Sequence, residues 1–425
     1  MKFFLPDWDD RVDPGYDFLT DRLTLKRKPY EDDLYAHELF DERIYDGILV
    51  SRMALEQAGR KRKRVEEVGI REYLRLPADL ELFGDCGAFG YLDQRDPAFT
   101  TEEILEYYDR LGFNYGVSVD HIVLPEFEDQ RDHRYALTQR NADDFLRMHR
   151  DNKLNFTPVG AVQGWDEHTY AEAAESLIEM GYRYIAVGGL ARSNSPTVSR
   201  ILNAVSQVVA ARAAIHVFGV ARASLLPLLL DLGVASADSA APLRQAWLAA
   251  KDNYYTVDGG AFAAIRIPMA TNDRGLNGSL VARSGAAYSD LREAEQDALN
   301  AVRSFARREL GQRETMKRIK AYDSMLGSRT YERSATQRDQ LYRDLLRGRP
   351  WDQCPCQICT ELGVEVVIFR GNNRNRRRGF HNLWVLRRRI EKALVEKGER
   401  RAQFAWQPRL EHFEWNKRPD APTPP

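Results

Sequence analysis

Between residues 80 and 270, short β-branched or apolar runs alternate with amphipathic stretches, and this alternation restricts the fold more than any other feature of the chain. The runs fall at 80–83, 115–119, 156–162, 184–187, 215–220 and 234–237. Helical patterns separate them at 101–111, 144–150, 167–180, 196–212 and 225–232. Strand followed by helix, repeated, means a parallel sheet with crossover helices. A unit of roughly 20–35 residues suits a (β/α)8 TIM-like barrel. A doubly wound α/β sheet is the alternative, but no Gly-x-Gly-x-x-Gly follows any run.

The residues that close each run sharpen this expectation. Asp85 follows the first and Asp120 the second. Gln163-Gly164 follows the third and Gly188-Gly189-Leu190 the fourth. Phe218-Gly219 closes the fifth, and Asp238 follows the sixth. Loop starts are commonly polar, so one such residue says little. Six in series mark the C-terminal rim of a barrel, where active sites of this fold lie.

The expected organisation is an N-terminal extension over 1–75 and a barrel over 76–284 with parts of 350–400. A basic helical insertion over 285–350, a C-terminal zinc-binding subdomain over 351–400 and a tail over 401–425 complete it. The net charge of −1 hides an uneven distribution. Basic runs occur at Arg60-Lys61-Arg62-Lys63-Arg64, along 303–320 and between Arg370 and Arg389. Arg374, Arg376, Arg377, Arg378, Arg387 and Arg388 are the candidates for phosphate contact, next to Gly371-Asn372-Asn373, which reads as a mobile loop. A solvated charged face is the competing interpretation of such a run. No stretch reaches the ~18 unbroken apolar residues of a membrane helix. The apolar start is too short for a signal peptide, so a cytoplasmic location with no membrane partner is the expectation.

Three of the four cysteines cluster in Cys354-Pro-Cys356-Gln-Ile-Cys359, and His381 follows. Thiolates and a neutral imidazole are the ligand set of tetrahedral Zn²⁺. Four protein ligands fill the coordination shell, so the expected zinc is structural.

At this point the chain resembles the tRNA-guanine transglycosylases, in order from about residue 80 to 390. Asp85-Cys86-Gly87-Ala88-Phe89-Gly90 is similar to that family's Asp-Ser-Gly-Gly-Phe-Gln loop. Val162-Gln163-Gly164 is similar to its Val-Gln-Gly motif, and Val187-Gly188-Gly189-Leu190 to its glycine–glycine–leucine loop. Asp238-Ser239-Ala240-Ala241-Pro242-Leu243-Arg244 resembles its nucleophile segment, and the cysteine–histidine set its zinc site. Cys86, Gly90, Ser239 and Leu243 depart from the family pattern. With the N-terminal extension and the insertion, they look more like the DNA-modifying branch, the DNA-guanine transglycosylases. That resemblance implies DNA rather than tRNA as partner and a 7-deazaguanine base such as preQ0 as substrate. It also implies partner proteins from a DNA-modification cluster, and a homodimer formed through the zinc region.

Base exchange breaks one N-glycosidic bond and forms another with the same stereochemistry. A carboxylate that holds the sugar between two inversions achieves this. Asp238, at a strand end and in the nucleophile segment, is the choice, although a helix N-cap would also place an aspartate there. Asp85 is the acid and base that serves the departing and incoming heterocycles; a loop cap is its bland alternative. The resemblance puts Asp120 on the donors of the guanine-type base. Gln163 and the Gly189 N–H can donate to O6, within a pocket walled by Gly188 and Leu190. Phe89 and Phe218 are placed to sandwich the ring. The target base must be flipped out of any duplex to reach such a pocket. A tRNA-directed enzyme and a catalytically silent nucleic-acid-binding paralogue are the competing functions; the presence of both Asp85 and Asp238 speaks against the second.

Overall fold

The computed structural model describes residues 1–270, 285–326 and 335–398. The chain forms two compact units. One comprises Met1–Trp8, Tyr45–Ala240 and the chain from Ile390 onward; the other comprises Asp9–Ile44 and Ala241–Arg389.

The first unit is a closed barrel of eight parallel strands: β1 (Lys2–Pro6), β2 (Gly47–Ser51), β3 (Glu81–Asp85), β4 (Tyr115–Val117), β5 (Thr157–Val162), β6 (Tyr184–Val187), β7 (Ala214–Val217) and β8 (Ser236–Asp238). β1 closes the ring by pairing with both neighbours, Phe4 opposite Gly47 on β2 and Phe3 opposite Ala237 on β8. The expected (β/α)8 architecture is therefore present, with one correction. β1 and β2 lie inside the segment 1–75, which is thus not an extension. The barrel is complete at Asp238, and 350–400 supplies no strand to it. The reason is physical. Where the repeat calls for a crossover helix after β1, the chain instead runs through Asp9–Ile44, an acid-rich part of the second unit. Phe3-Phe4-Leu5 therefore has no amphipathic helix behind it to mark it as a strand.

Helices α1 (Gly59–Val68), α2 (Thr101–Arg110), α3 (Arg131–Asp151), α4 (Glu167–Met180), α5 (Ser195–Val209) and α6 (Leu226–Asp231) also belong to this unit. Local caps set their starts: Thr100 and Glu103 form a capping box on α2, Asp166 caps α4 and Asn194 caps α5. Side chains alternate along each strand, and the inward ones fill the barrel. Phe4, Leu49, Phe83, Tyr115, Val117, Val159 and Tyr184 make this core, and Phe218 packs against it. Phe83 sits at its centre, 5.0 Å from the Phe4 ring and 4.5 Å from His216. An interior of this kind is packed solid, so a substrate can enter only at a rim.

The second unit holds α7 (Ala241–Leu248), α8 (Tyr288–Ala306), α9 (Gln312–Met325) and α10 (Ala335–Gly348), in line with the helical character expected of 285–350. Helix α11 (Gly371–Glu396) begins in this unit. The tail 401–425 lies outside the described residues.

Candidate active site and metal centre

Asp85 ends β3 and Asp238 ends β8, which puts both at the C-terminal rim of the barrel. A packed chain of side chains links them. Phe83, two residues before Asp85, stacks on His216, and His216 Nε2 lies 3.3 Å from Asp238 Oδ1. Asp85 also feels the other two carboxylates. Burial pushes the Asp85 carboxyl up to about 7, and the charges of Asp120 and Asp238 add to the rise. The backbone N–H groups of Gly87 and Cys86 oppose it only in part. A carboxyl poised near neutrality can both give and take a proton at physiological pH.

Asp120, just beyond β4, is buried, and burial raises its carboxyl too. Its Oδ1 accepts from the Cys86 thiol at 3.0 Å, and its Oδ2 accepts from Gln163 Nε2 at 2.6 Å. Cys86 also lies 3.0 Å from the Tyr91 hydroxyl, and Tyr91 donates to the Asp120 carbonyl. Burial holds the thiol well above its usual range, so Cys86 is a neutral donor rather than a nucleophile. Gln163 thus spends one amide hydrogen on Asp120, while its buried Oε1 has no hydrogen-bond partner. That oxygen faces the Gly188-Gly189 turn, where a Cβ on Gly189 would stand 2.9 Å from it and a Cβ on Gly188 would strike the Gln163 amide. Gly189 also has φ +75°, so glycine is required there on both counts. Tyr170 braces the turn by donating to the Gly188 carbonyl at 3.0 Å.

Asp238 is 6% exposed. Its Oδ1 accepts from the Gly219 N–H at 2.9 Å as well as facing His216. Phe218, half-buried, lies over His216 with ring centroids 4.7 Å apart. Phe89 is 47% exposed, with the Arg192 guanidinium 5.8 Å from its ring centroid. A cavity of about 560 Å³ opens between the loops that follow β4, β5 and β6, lined by Gly164, Trp165, Tyr170, Gly189, Leu190 and Arg192 among others. It includes Gly189 and Leu190 but none of the three aspartates. His216, Ser236, Cys86, Tyr91 and Tyr170 are contacts that sequence reasoning missed. The first two carried a signal: each stands two residues before a candidate, Phe218 or Asp238, and so shares its face of the strand.

In the second unit, Cys354, Cys356, Cys359 and His381 bring one ligand atom each within 4.8 Å of the others. His381 Nδ1 is 3.6, 3.4 and 3.4 Å from the three sulfurs in chain order. Zinc bonds of about 2.3 Å to sulfur and 2.0 Å to nitrogen put tetrahedral ligand atoms about 3.6 Å apart, so the cluster fits such an ion. His381 Nε2 lies 2.9 Å from the Tyr255 carbonyl, which fixes the tautomer that leaves Nδ1 free to ligate. The Tyr254 ring stacks on the imidazole, and its hydroxyl lies 3.1 Å from the Cys359 sulfur.

The arginines proposed for phosphate contact are corrected by the structure. The segment Gly371-Asn372-Asn373 opens α11 rather than a loop, and Arg374, Arg377 and Arg378 are buried. Arg374 pairs with Asp21 and Glu365. Arg377 donates to the Asp13 carbonyl at 2.8 Å. Arg378 donates to the carbonyls of Ala246, Val366 and Ile368, and burial lowers its pKa to about 9. Arg376 binds the Arg11 carbonyl and Asp10, and Arg388 pairs with Glu42 beside the Trp384 ring. Arg387 is half-buried on the same helix. At helical spacing this run turns inward, where carboxylates receive Arg374 and backbone carbonyls receive Arg377 and Arg378.

No helix among the described residues is long and apolar enough to cross a membrane. The family model described as queuine tRNA-ribosyltransferase matches residues 89–295. A DNA-guanine transglycosylase of Salmonella montevideo is 34% identical over 418 residues, covering 94% of this chain and 99% of the relative.

Proposed function

Because the chain belongs to the guanine transglycosylase superfamily, and so is a pentosyltransferase, we propose that it exchanges guanine in DNA for a 7-deazaguanine base such as preQ0. A relative of nearly the same length, named for DNA, favours DNA over tRNA. In the proposed reaction the target nucleotide is flipped into the rim. Asp238 attacks the sugar at C1′, the bond to the purine N9 breaks, and its electron pair leaves with the guanine, which takes a proton from Asp85. The sugar is then held as an ester of Asp238. Asp85, now a carboxylate, takes the N9 proton of the incoming 7-deazaguanine. That nitrogen attacks C1′ and releases Asp238, so two inversions give retention. Asp120, Gln163, Gly188, Gly189 and Leu190 hold the base, with Phe89 and Phe218 at its faces.

The observation that carries this reading is the gathering of three carboxyls at one rim, with Asp85 raised to about 7 by burial first and by the other two carboxyls after it. Incubation with radiolabelled preQ0 and either plasmid DNA or tRNA tests it. Label should enter DNA and should fail to enter with Asp238→Ala, while that variant still binds DNA. Label in tRNA alone, or exchange by Asp238→Ala, refutes the proposal.

The Cys354, Cys356, Cys359 and His381 cluster is proposed to hold one structural Zn²⁺, which clips the 350–360 segment to α11. All four positions are protein ligands, so the ion takes no part in the exchange. Metal analysis of Cys356→Ser should find less than one ion per chain, and undiminished zinc would exclude this ligand set.

A further inference from the structure

We infer that His216 is a positioning residue that fixes which oxygen of Asp238 attacks the sugar and steadies that carboxylate when it departs. The inference rests on the proposed role of Asp238 as nucleophile. His216 is fully buried, with Phe83, Phe218 and Phe4 around its ring. Apolar packing alone would be served as well by a phenylalanine. Instead, four polar side chains run in line through an aromatic barrel. The Tyr184 hydroxyl lies 2.5 Å from Ser236 Oγ, Ser236 Oγ lies 2.6 Å from His216 Nδ1, and His216 Nε2 lies 3.3 Å from Asp238 Oδ1.

The chain has one self-consistent direction. A carboxylate only accepts, so His216 Nε2 carries the hydrogen that faces it. In the tautomer that carries its single ring hydrogen on Nε2, Nδ1 accepts, which makes the Ser236 hydroxyl its donor and Tyr184 the donor to Ser236. Gly219 N–H donates to the same Asp238 oxygen at 2.9 Å. Two donors on Oδ1 leave Oδ2 to form the bond to C1′. Oδ1 becomes the ester carbonyl, and negative charge returns to it when the incoming N9 displaces the sugar. The imidazole N–H is therefore worth most in that second step, where charge develops on the group it touches.

This gives a signature that loss of packing would not produce. DNA labelled at one end is mixed with enzyme and preQ0, quenched in denaturant, and scored both for base exchange and for protein–DNA adduct. His216→Phe keeps a ring and loses the donor. Its exchange should fall about 100-fold while the adduct fraction rises above that of the wild type. His216→Gln retains an amide N–H and should recover at least about tenfold of that loss. A folded His216→Phe that exchanges at the wild-type rate overturns the inference. So does a slow variant that accumulates no adduct and is matched by His216→Gln. If His216→Phe does not fold, Ser236→Ala decides the matter. It frees the imidazole tautomer and should slow exchange about tenfold with adduct build-up; unchanged turnover overturns the inference. Absence of any adduct in the wild type, or its persistence in Asp238→Ala, is a separate result that removes the nucleophile itself, and His216's role with it.

Discussion

Both units bury charge, and they do it in opposite ways. At the barrel rim Asp85, Asp120 and Asp238 gather with neutral donors: a thiol and an amide for Asp120, a backbone N–H and an imidazole for Asp238. Around α11 the carboxylates meet guanidinium groups. Asp21 pairs with Arg370 and Arg374, Glu295 with Arg370, and Glu365 with Arg303 and Arg374. Like charges that share a dry site raise one another's pKa, whereas opposite charges in fixed geometry hold each other ionised. The first arrangement stores a proton that can move; the second holds a structure. Density of charge along the chain points to the wrong region, and compensation in space points to the right one.

The sharpest way to break this contrast is to remove a charge from each side. Asp85→Asn should lower exchange about 1000-fold, the scale of a lost general acid–base group, with little change in DNA affinity. The same variant should be more stable than the wild type at pH 8. The folded-state pKa of Asp85 is raised from 3.8 to about 7, so the folded protein holds this proton more tightly than the unfolded chain does. Its favourable contribution is complete below pH 4, declines as pH rises, and is gone above pH 7. An amide escapes that loss, which at 1.36 kcal/mol per pKa unit amounts to about 4 kcal/mol. Urea unfolding at pH 8 and pH 4 measures it; an Asp85→Asn variant less stable than the wild type at pH 8 would contradict the picture of an uncompensated rim.

Removing a charge from α11 should have the opposite sign. Arg374→Met leaves Asp21 and Glu365 buried with one cation fewer each. Loss of one member of a buried pair destabilises by about 3–5 kcal/mol. Because Arg370 and Arg303 remain on those carboxylates, about 3 kcal/mol is expected. Exchange per folded molecule should not change. Equal or greater stability of Arg374→Met in urea would show that the network is held by something other than charge.

The same contrast explains what was legible beforehand. The barrel could be read because short apolar runs alternate with amphipathic helical stretches, and because Asp85, Asp120, Gln163 and Asp238 each follow an apolar run. β1 could not, since the chain after Pro6 leaves for the other unit instead of forming a crossover helix. The base-binding glycines were visible as a motif, whereas the Cys86–Asp120–Gln163 bridge joins three separate strand ends and exists only in space. The arginine run misled for the same reason. Its partners Asp21 and Glu295 lie far away in the chain, and Glu365, only nine residues before Arg374, does not by its position announce that α11 turns its basic side inward.

Arg388 marks the boundary between the two behaviours and carries the smallest effect. It pairs with Glu42 and lies 5.1 Å from the Trp384 ring centroid, but its side chain is 34% exposed and Glu42 is more open still. Water screens such a pair, and exposed ion pairs contribute about 0–1 kcal/mol. Arg388→Ala should therefore change stability by less than about 1 kcal/mol, part of it from the lost stacking on Trp384. Since its guanidinium is engaged within the unit, the salt dependence of DNA binding should keep its slope. A phosphate-bound arginine would instead lower that slope by about one unit when removed. A slope reduced by that amount in Arg388→Ala would restore this end of α11 to the DNA-binding surface. It would also confine the structural reading to Arg370, Arg374, Arg377 and Arg378, whose burial leaves no phosphate within reach.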